Sequence, residues 1–224
     1  MKKILLLLCL FVLCGCSSSS KNEEVMETQP EKEVENVVEL IPNDKYEEPL
    51  ASYKEMTEAY NELTAAIDAQ DAQQEAVEVA RSFAFDFFTL ENKKSNEDIG
   101  GIQFIPSVNI RFYMEYAKSY YYSNYGVIVN EYGKENLPKV IETNVKKVEP
   151  AEYTYFDSPC EGYDVTLEVV YEDSKLPKSM LKTSMVVSVM NISDFDFNRE
   201  YDYQDAATIF EGEMKDCWRV LAVQ

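Results

Sequence analysis

No histidine occurs in the 224 residues. Its absence removes His-based zinc sites, Ser-His-Asp and Cys-His nucleophile pairs, and the usual general base near neutral pH. Carboxylate or lysine chemistry survives that exclusion. With 41 acidic residues, however, no single acidic pair stands out, and the separation that paired carboxylates need is not a property of sequence. Positive charge is scarce too. A chain with 21 basic residues and a formal charge of −20 repels phosphate backbones, which argues against nucleic acid as a partner. A long hydrophobic run is also missing: Ile4–Leu13 is uncharged and apolar but falls short of the roughly 20 residues that a membrane-spanning helix requires. No internal repeat, no cofactor motif and no complete metal-ligand set is evident.

What is present begins with a leader. Met1-Lys2-Lys3 supplies a positive start, Ile4–Leu13 an apolar core of signal-peptide length, and Leu13-Cys14-Gly15-Cys16 a small residue beside a thiol at the boundary where a signal peptidase cuts. In these respects the leader resembles those of bacterial lipoproteins. The resemblance implies cleavage after residue 15, loss of Cys9 and Cys14, and a diacylglycerol on Cys16 that anchors the chain on the extracytoplasmic face of the cell membrane. A Gram-positive setting is the expectation. Two acyl chains satisfy the condition for stable anchoring, which one chain does not. Ser17–Asn43 has no aromatic residue and carries seven glutamates. Such a segment buries too little apolar surface to offset its ordering entropy, so residues 16–43 read as a disordered acidic tether with a reach of roughly 30 Å.

The remaining chain, about 180 residues, is long enough for one domain with a proper core. Its first half has helical period. Leu50, Tyr53, Met56, Tyr60, Leu63 and Ile67 fall at steps of three and four, predicting a linker helix within residues 44–70 whose first turn holds Pro49. Asp71 with Gln74 marks a second start, followed by Val77, Ala80, Ala84, Phe87 and Phe88, with Phe83 and Phe85 widening the apolar surface so that this helix is covered on more than one side. Gly100-Gly101 breaks the chain. A third helix runs from Pro106-Ser107 through Ile110, Tyr113, Ala117 and Tyr120; within Gly126–Leu137, Val127-Ile128-Val129 suits either a strand or a helical continuation ended by Gly133, and a short helix is the preferred reading. The period then changes to two. Tyr163, Val165, Leu167, Val169 and Tyr171 alternate with mostly polar neighbours, a strand with one wet face. Further strands are expected over Lys139–Val148, Tyr153–Phe156, Ser184–Ile192, Ile209–Met214 and Trp218–Val223, with turns at Pro150, Ser158-Pro159 and Pro177. Helices followed by strands predict an α+β fold with helices packed on an antiparallel sheet.

That order of elements, closing on Asp216-Cys217-Trp218-Arg219-Val220-Leu221-Ala222, resembles the NTF2-like cone over residues 71–224. The resemblance implies a curved sheet with a pocket at its mouth, and no particular activity, because the fold hosts enzymes, binders and scaffolds alike. NTF2-like enzymes often place His or Asp in that pocket, and the lack of histidine counts against isomerase or dehydratase chemistry here.

Three residue groups suggest sites. Asp194-Phe195-Asp196-Phe197-Asn198 opens like a calcium loop, but Arg199 and Asp205 stand where the loop needs Gly and Glu. The stretch therefore reads as an acidic, solvated excursion with no metal. Cys160 and Cys217 remain as thiols once Cys16 is acylated, and sequence leaves both a disulfide and two reduced cysteines open. Tyr113, Tyr120 and Tyr121 could line a ligand pocket, stacking on sugars or apolar groups, although their helical spacing equally suits a core. Taken together, these readings predict a non-enzymatic, lipid-anchored surface protein that binds another envelope component. A solute- or glycan-binding module and, less well supported, a carboxylate-dependent hydrolase stay open as alternatives. If the lipobox reading holds, Cys16→Ser releases the protein from the membrane fraction and abolishes its labelling by fatty acid; a Cys16→Ser chain that still labels and sediments with membranes contradicts it.

Overall fold

The structure is a computed structural model and describes residues 38–203, 205 and 212–224. The leader, Cys16, the tether up to residue 37 and the first part of the strand expected over Ile209–Met214 lie outside the described residues. Helices α1 (Lys54–Asp68), α2 (Ala72–Phe88), α3 (Ile110–Tyr120) and α4 (Tyr125–Tyr132) precede strands β1 (Val140–Tyr155), β2 (Ser158–Tyr171), β3 (Ser184–Phe195) and β4 (Met214–Val223). The strands form one antiparallel sheet in the order β1-β2-β3-β4. The α+β reading is correct: helices first, then an antiparallel meander, with the core between them.

Helix α2 is the central element. Asp71 caps it by accepting from the Gln74 N–H at 3.0 Å, satisfying one of the N–H groups that a helix start leaves unpaired. Val79, Ala80, Phe83 and Phe87 are buried, and so are Glu75 and Glu78, so this helix is covered on more than one side, as its sequence predicts. The residues before it need two corrections. Helix α1 starts at Lys54, later than Pro49 suggests, because a turn with Ala51 at φ +48° intervenes and leaves Leu50 exposed. Nor is segment 44–70 a linker: Met56, Ala59, Tyr60 and Leu63 belong to the core. The ordered part also reaches back into the expected tether. Asn61 donates to the Glu39 carbonyl and accepts from the Ile41 N–H, both at 2.8 Å, and Thr64 donates to the Ile41 carbonyl at 2.9 Å.

Two tyrosines from this N-terminal part close the edges of the sheet. The Tyr46 hydroxyl accepts from the Trp218 N–H and donates to the Trp218 carbonyl, both at 3.1 Å, covering the open side of β4. Tyr53 donates to the Val140 carbonyl at 2.5 Å, while Thr89 accepts from the Val140 N–H at 3.1 Å, so the start of β1 is covered in the same way. Exposed edges invite pairing with other chains, and such caps suppress it.

The sheet departs from its sequence-predicted turns at two places. Pro150 lies inside β1, opposite Tyr163. An edge strand tolerates proline because the missing N–H can face outward. The first hairpin turns at Phe156-Asp157 rather than Ser158-Pro159, with φ of +46° and +60°. Positive φ at both central residues is the two-residue turn that matches strand twist. Alternation along β2 holds: Val165, Leu167 and Val169 are buried in the core, and Glu168 is exposed.

Strand β3 is buried on both faces. On one, Val187 and Val189 join the core; on the other, Ser188, Met190, Ile192 and Asp194 are also inaccessible. Asp194 meets Arg219 of β4 there, at 2.9 Å. Both members have further partners. Arg219 donates to the Gln103 carbonyl at 2.7 Å and the Phe195 carbonyl at 3.2 Å, and Asp194 accepts from the Ser107 hydroxyl at 2.5 Å and the Ser107 N–H at 2.9 Å. Asp194 is therefore a structural anchor, not part of a solvated excursion. Removing one member strands a buried charge. Arg219→Met should cost about 3–5 kcal/mol in urea unfolding, with part regained when Asp194→Leu is added; a loss below about 1 kcal/mol contradicts this role.

Candidate functional site

Gly100-Gly101 brings the segment after α2 back onto that helix. A Cβ on Gly100 would lie 2.1 Å from the Asp86 carbonyl oxygen, so no larger residue fits without moving backbone. Gly101 has φ +74°, and its N–H donates to the Asp86 carboxylate at 2.7 Å. The other carboxylate oxygen of Asp86 takes the Lys93 ammonium at 2.5 Å, an ion pair whose lysine is buried. Tyr113 and Tyr122 secure the same segment: Tyr113 donates to the Gly100 carbonyl at 2.8 Å, and the Tyr122 hydroxyl accepts from the Gly100 N–H at 3.0 Å while donating to the Phe87 carbonyl at 2.8 Å.

In front of this segment lies a cavity of about 290 Å³. Residues 48–50 line it, as do residues from the segment 197–203, and Arg199 ties the two segments together. Its N–H groups donate to the Glu47 carboxylate and, at 2.6 Å, to the Glu48 carbonyl. Phe197 stacks on Tyr203 at 5.5 Å. Beside the cavity lies a recess of about 10 Å³, lined by Ser82 together with Pro49, Asp86 and Gln103, the last three shared with the larger space. The Ser82 hydroxyl and the Gln103 side-chain carbonyl are buried and have no partner.

The three tyrosines expected to line one pocket are dispersed. Tyr113 packs against Phe83 and Phe87, serving the core and the Gly100 turn. Tyr121 meets Phe87 edge-on at 5.0 Å and borders a separate hollow of about 200 Å³ with Tyr171 and Leu181. Tyr120 does not continue the buried stripe of Ile110 and Ala117; it is 68% exposed. Its ring lies tilted against that of Tyr116 with centroids 4.5 Å apart, and Tyr116 and Phe112 are 55% and 72% exposed. Spaced by four, Phe112, Tyr116 and Tyr120 form one aromatic stripe on the outer face of α3. Their spacing was visible in sequence, but the periodicity alone did not say that this face, rather than the one through Tyr113, stays open.

Cys160 and Cys217 are unpaired thiols, which corrects the disulfide option. Carried two residues past Gly162↔Met190, the β2–β3 register puts Cys160 opposite Ile192, whose partner across the other edge is Cys217. Two strand spacings amount to roughly 10 Å, beyond the roughly 7 Å that a bridge spans. Burial pushes the Cys217 thiol up to about 11, so it is unreactive at neutral pH. Among the described residues no group of three or more Cys, Asp or Glu could hold a metal ion, and no helix is long and apolar enough to cross a membrane.

Comparison with protein-family models, curated proteins and solved structures gives no match. Any functional reading therefore rests on the geometry above.

Burial sets the tyrosines' response to pH. Desolvation lifts Tyr60, Tyr155 and Tyr203 to about 12 and raises Tyr46, Tyr53, Tyr113, Tyr122 and Tyr171 well above the ordinary 10.0. In the unfolded chain these groups ionise near 10.0, so the folded state holds the extra protons above that pH. The stability they contribute is complete below pH 10.0 and is lost as pH rises through the folded values. Tyrosinate absorbance should thus rise steeply above pH 10.0, together with loss of the near-ultraviolet signal. A gradual titration centred on 10.0 with the fold intact contradicts the burial described.

Proposed function

We propose that this chain is a lipid-anchored extracytoplasmic binding module that docks a second envelope protein through the aromatic face of α3. The observation that carries the reading is the stripe of Phe112, Tyr116 and Tyr120, three large aromatic side chains open to solvent on one helix face. Monomeric proteins seldom leave such a cluster uncovered without use. Tyrosine and phenylalanine are enriched at the centres of protein interfaces, where they contribute large contact area at low entropic cost. The rim has the matching polar character. Arg111 faces Glu115 at 3.5 Å, and Lys118 pairs with Glu97.

Three further points support the reading. The lipobox and acidic tether would hold the domain clear of the membrane surface, with its helical layer free to meet a neighbour. The helix-then-meander order, with strands of 16 and 14 residues and register shifts in β1, is compatible with an NTF2-like cone. In that architecture helices and sheet mouth both offer binding surfaces. Asp86, a partly buried acid of the cavity, is engaged by Lys93 and the Gly101 N–H, contacts that give it a structural task in the fold and do not single it out for hydrolysis.

Crosslinking on intact cells, followed by mass spectrometry of the captured species, tests the proposal. Wild type should give an adduct with one identified envelope protein. Replacing Phe112, Tyr116 and Tyr120 by serine should reduce its yield about tenfold at matched expression, the loss of one or two interface anchors. An adduct that forms equally well with the triple variant, or none with wild type, overturns it.

A further inference from the structure

We infer that the cavity between residues 48–50, 98–103 and 197–203, with the recess beside it, is a binding site for a primary amine. Its ammonium head would fill the recess, and its apolar or aromatic body would fill the cavity. The inference stands apart from the docking role of α3 and uses none of that helix's exposed residues.

The recess is the more selective part. At about 10 Å³ it admits one water-sized group and nothing larger. Its polar groups offer three acceptors, the Ser82 hydroxyl oxygen, the Gln103 Oε1 and the Asp86 carboxylate, and the Ser82 hydroxyl can also donate. The orientation of Gln103 follows from its amide nitrogen, which donates to the Glu47 carbonyl at 3.1 Å and leaves the carbonyl end without a partner. Gln103 is only 8% exposed, too enclosed for bulk solvent to satisfy it. Ser82 is equally enclosed and likewise lacks a partner. Asp86 accepts from Lys93 and Gly101, and a carboxylate has lone pairs beyond those two. A primary ammonium brings three N–H donors, one for each acceptor around this small space; a water molecule would accept from Ser82 and donate to the other two, so the preference for an ammonium comes from the acidic lining of the adjoining cavity.

The larger cavity agrees in sign. Glu48, Asp86, Asp98 and Asp202 line it against Lys93 and Arg199. Both cations are already held, Lys93 by Asp86 and Arg199 by Glu47. An anionic ligand would thus meet excess negative charge and no uncommitted cation among the described lining residues. The stacked Phe197–Tyr203 pair and Tyr201 add π faces, which attract a cation and accommodate a flat body. A volume of about 290 Å³ lies at the small end of ligand pockets, suited to a compact amine or to the tip of a lysine side chain.

Calorimetric titration of the full-length chain with phenethylamine tests the inference. Its N,N,N-trimethyl derivative, 2-phenylethanol and Nα-acetyl-lysinamide serve as comparators. Saturable binding of phenethylamine is expected, at least about tenfold tighter than the trimethyl derivative, which the recess cannot admit, and than the alcohol, which lacks the charge. Ser82→Ala should weaken it about three- to tenfold, and Gln103→Leu by a similar factor. Tighter binding of Nα-acetyl-lysinamide than of phenethylamine keeps the site and assigns it to lysine side chains of a peptide; the reverse assigns it to free amines. Three results overturn the inference: no saturation by either amine below about 10 mM, equal affinity for the trimethyl derivative, or Ser82→Ala binding phenethylamine as wild type does.

Discussion

A buried charge pair, Arg219 with Asp194, joins the sheet to the segment that borders both candidate surfaces. Both side chains lie on the same face of neighbouring strands, four residue pairs apart along the ladder. Withdrawing two charges from water is costly, and the cost is offset only when every remaining donor and acceptor finds a partner. Beside the Phe195 carbonyl of β3, the partners come from outside the sheet: Ser107 binds Asp194, and the Gln103 carbonyl binds Arg219. The pair therefore fixes the segment 100–109 as firmly as it joins β3 to β4.

That fixed segment positions both candidate surfaces. Its C-terminal end leads directly into α3, so the direction of the Phe112–Tyr116–Tyr120 stripe is set by Ser107 and Ile110, the latter buried in the core. Its N-terminal end, held to Asp86 and Tyr122, forms a wall of the cavity and carries Gln103. Segment 44–53 contributes on the opposite side. Tyr46 and Tyr53 cover the two sheet edges, and Glu47 clasps Arg199. Residues that look like a connector are thus needed for the sheet to end cleanly and for the cavity to have its other wall.

Local chemistry was legible in the sequence. The cap at Asp71, the all-round apolar character of α2, the stop at Gly133 and the alternation along β2 each follow from propensity or period within one element. Positions decided by a distant partner were not. Pro150 reads as a break until β1 is known to be an edge strand. The turn at Phe156-Asp157 was hidden because phenylalanine is a poor residue for positive φ, and Pro159 next to it is a stronger turn signal. Asp194 belonged to an acidic run, and only its opposition to Arg219 shows it to be buried. Among the tyrosines, helical spacing identified a stripe but could not tell the covered face from the open one. The recess could not be foreseen at all, since Ser82, Asp86 and Gln103 belong to no common motif.

Native-state hydrogen exchange of individual amides tests the central claim most directly, because it reads how firmly segment 100–109 is held without altering any residue. If the Arg219–Asp194 pair locks the segment to the sheet, the Ser107 amide opens only with global unfolding, as do the central amides of β3. Exchange of Ser107 at the rate of exposed loop amides, while β3 stays protected, would mean that the segment moves independently of the sheet and that the pair does not position either surface.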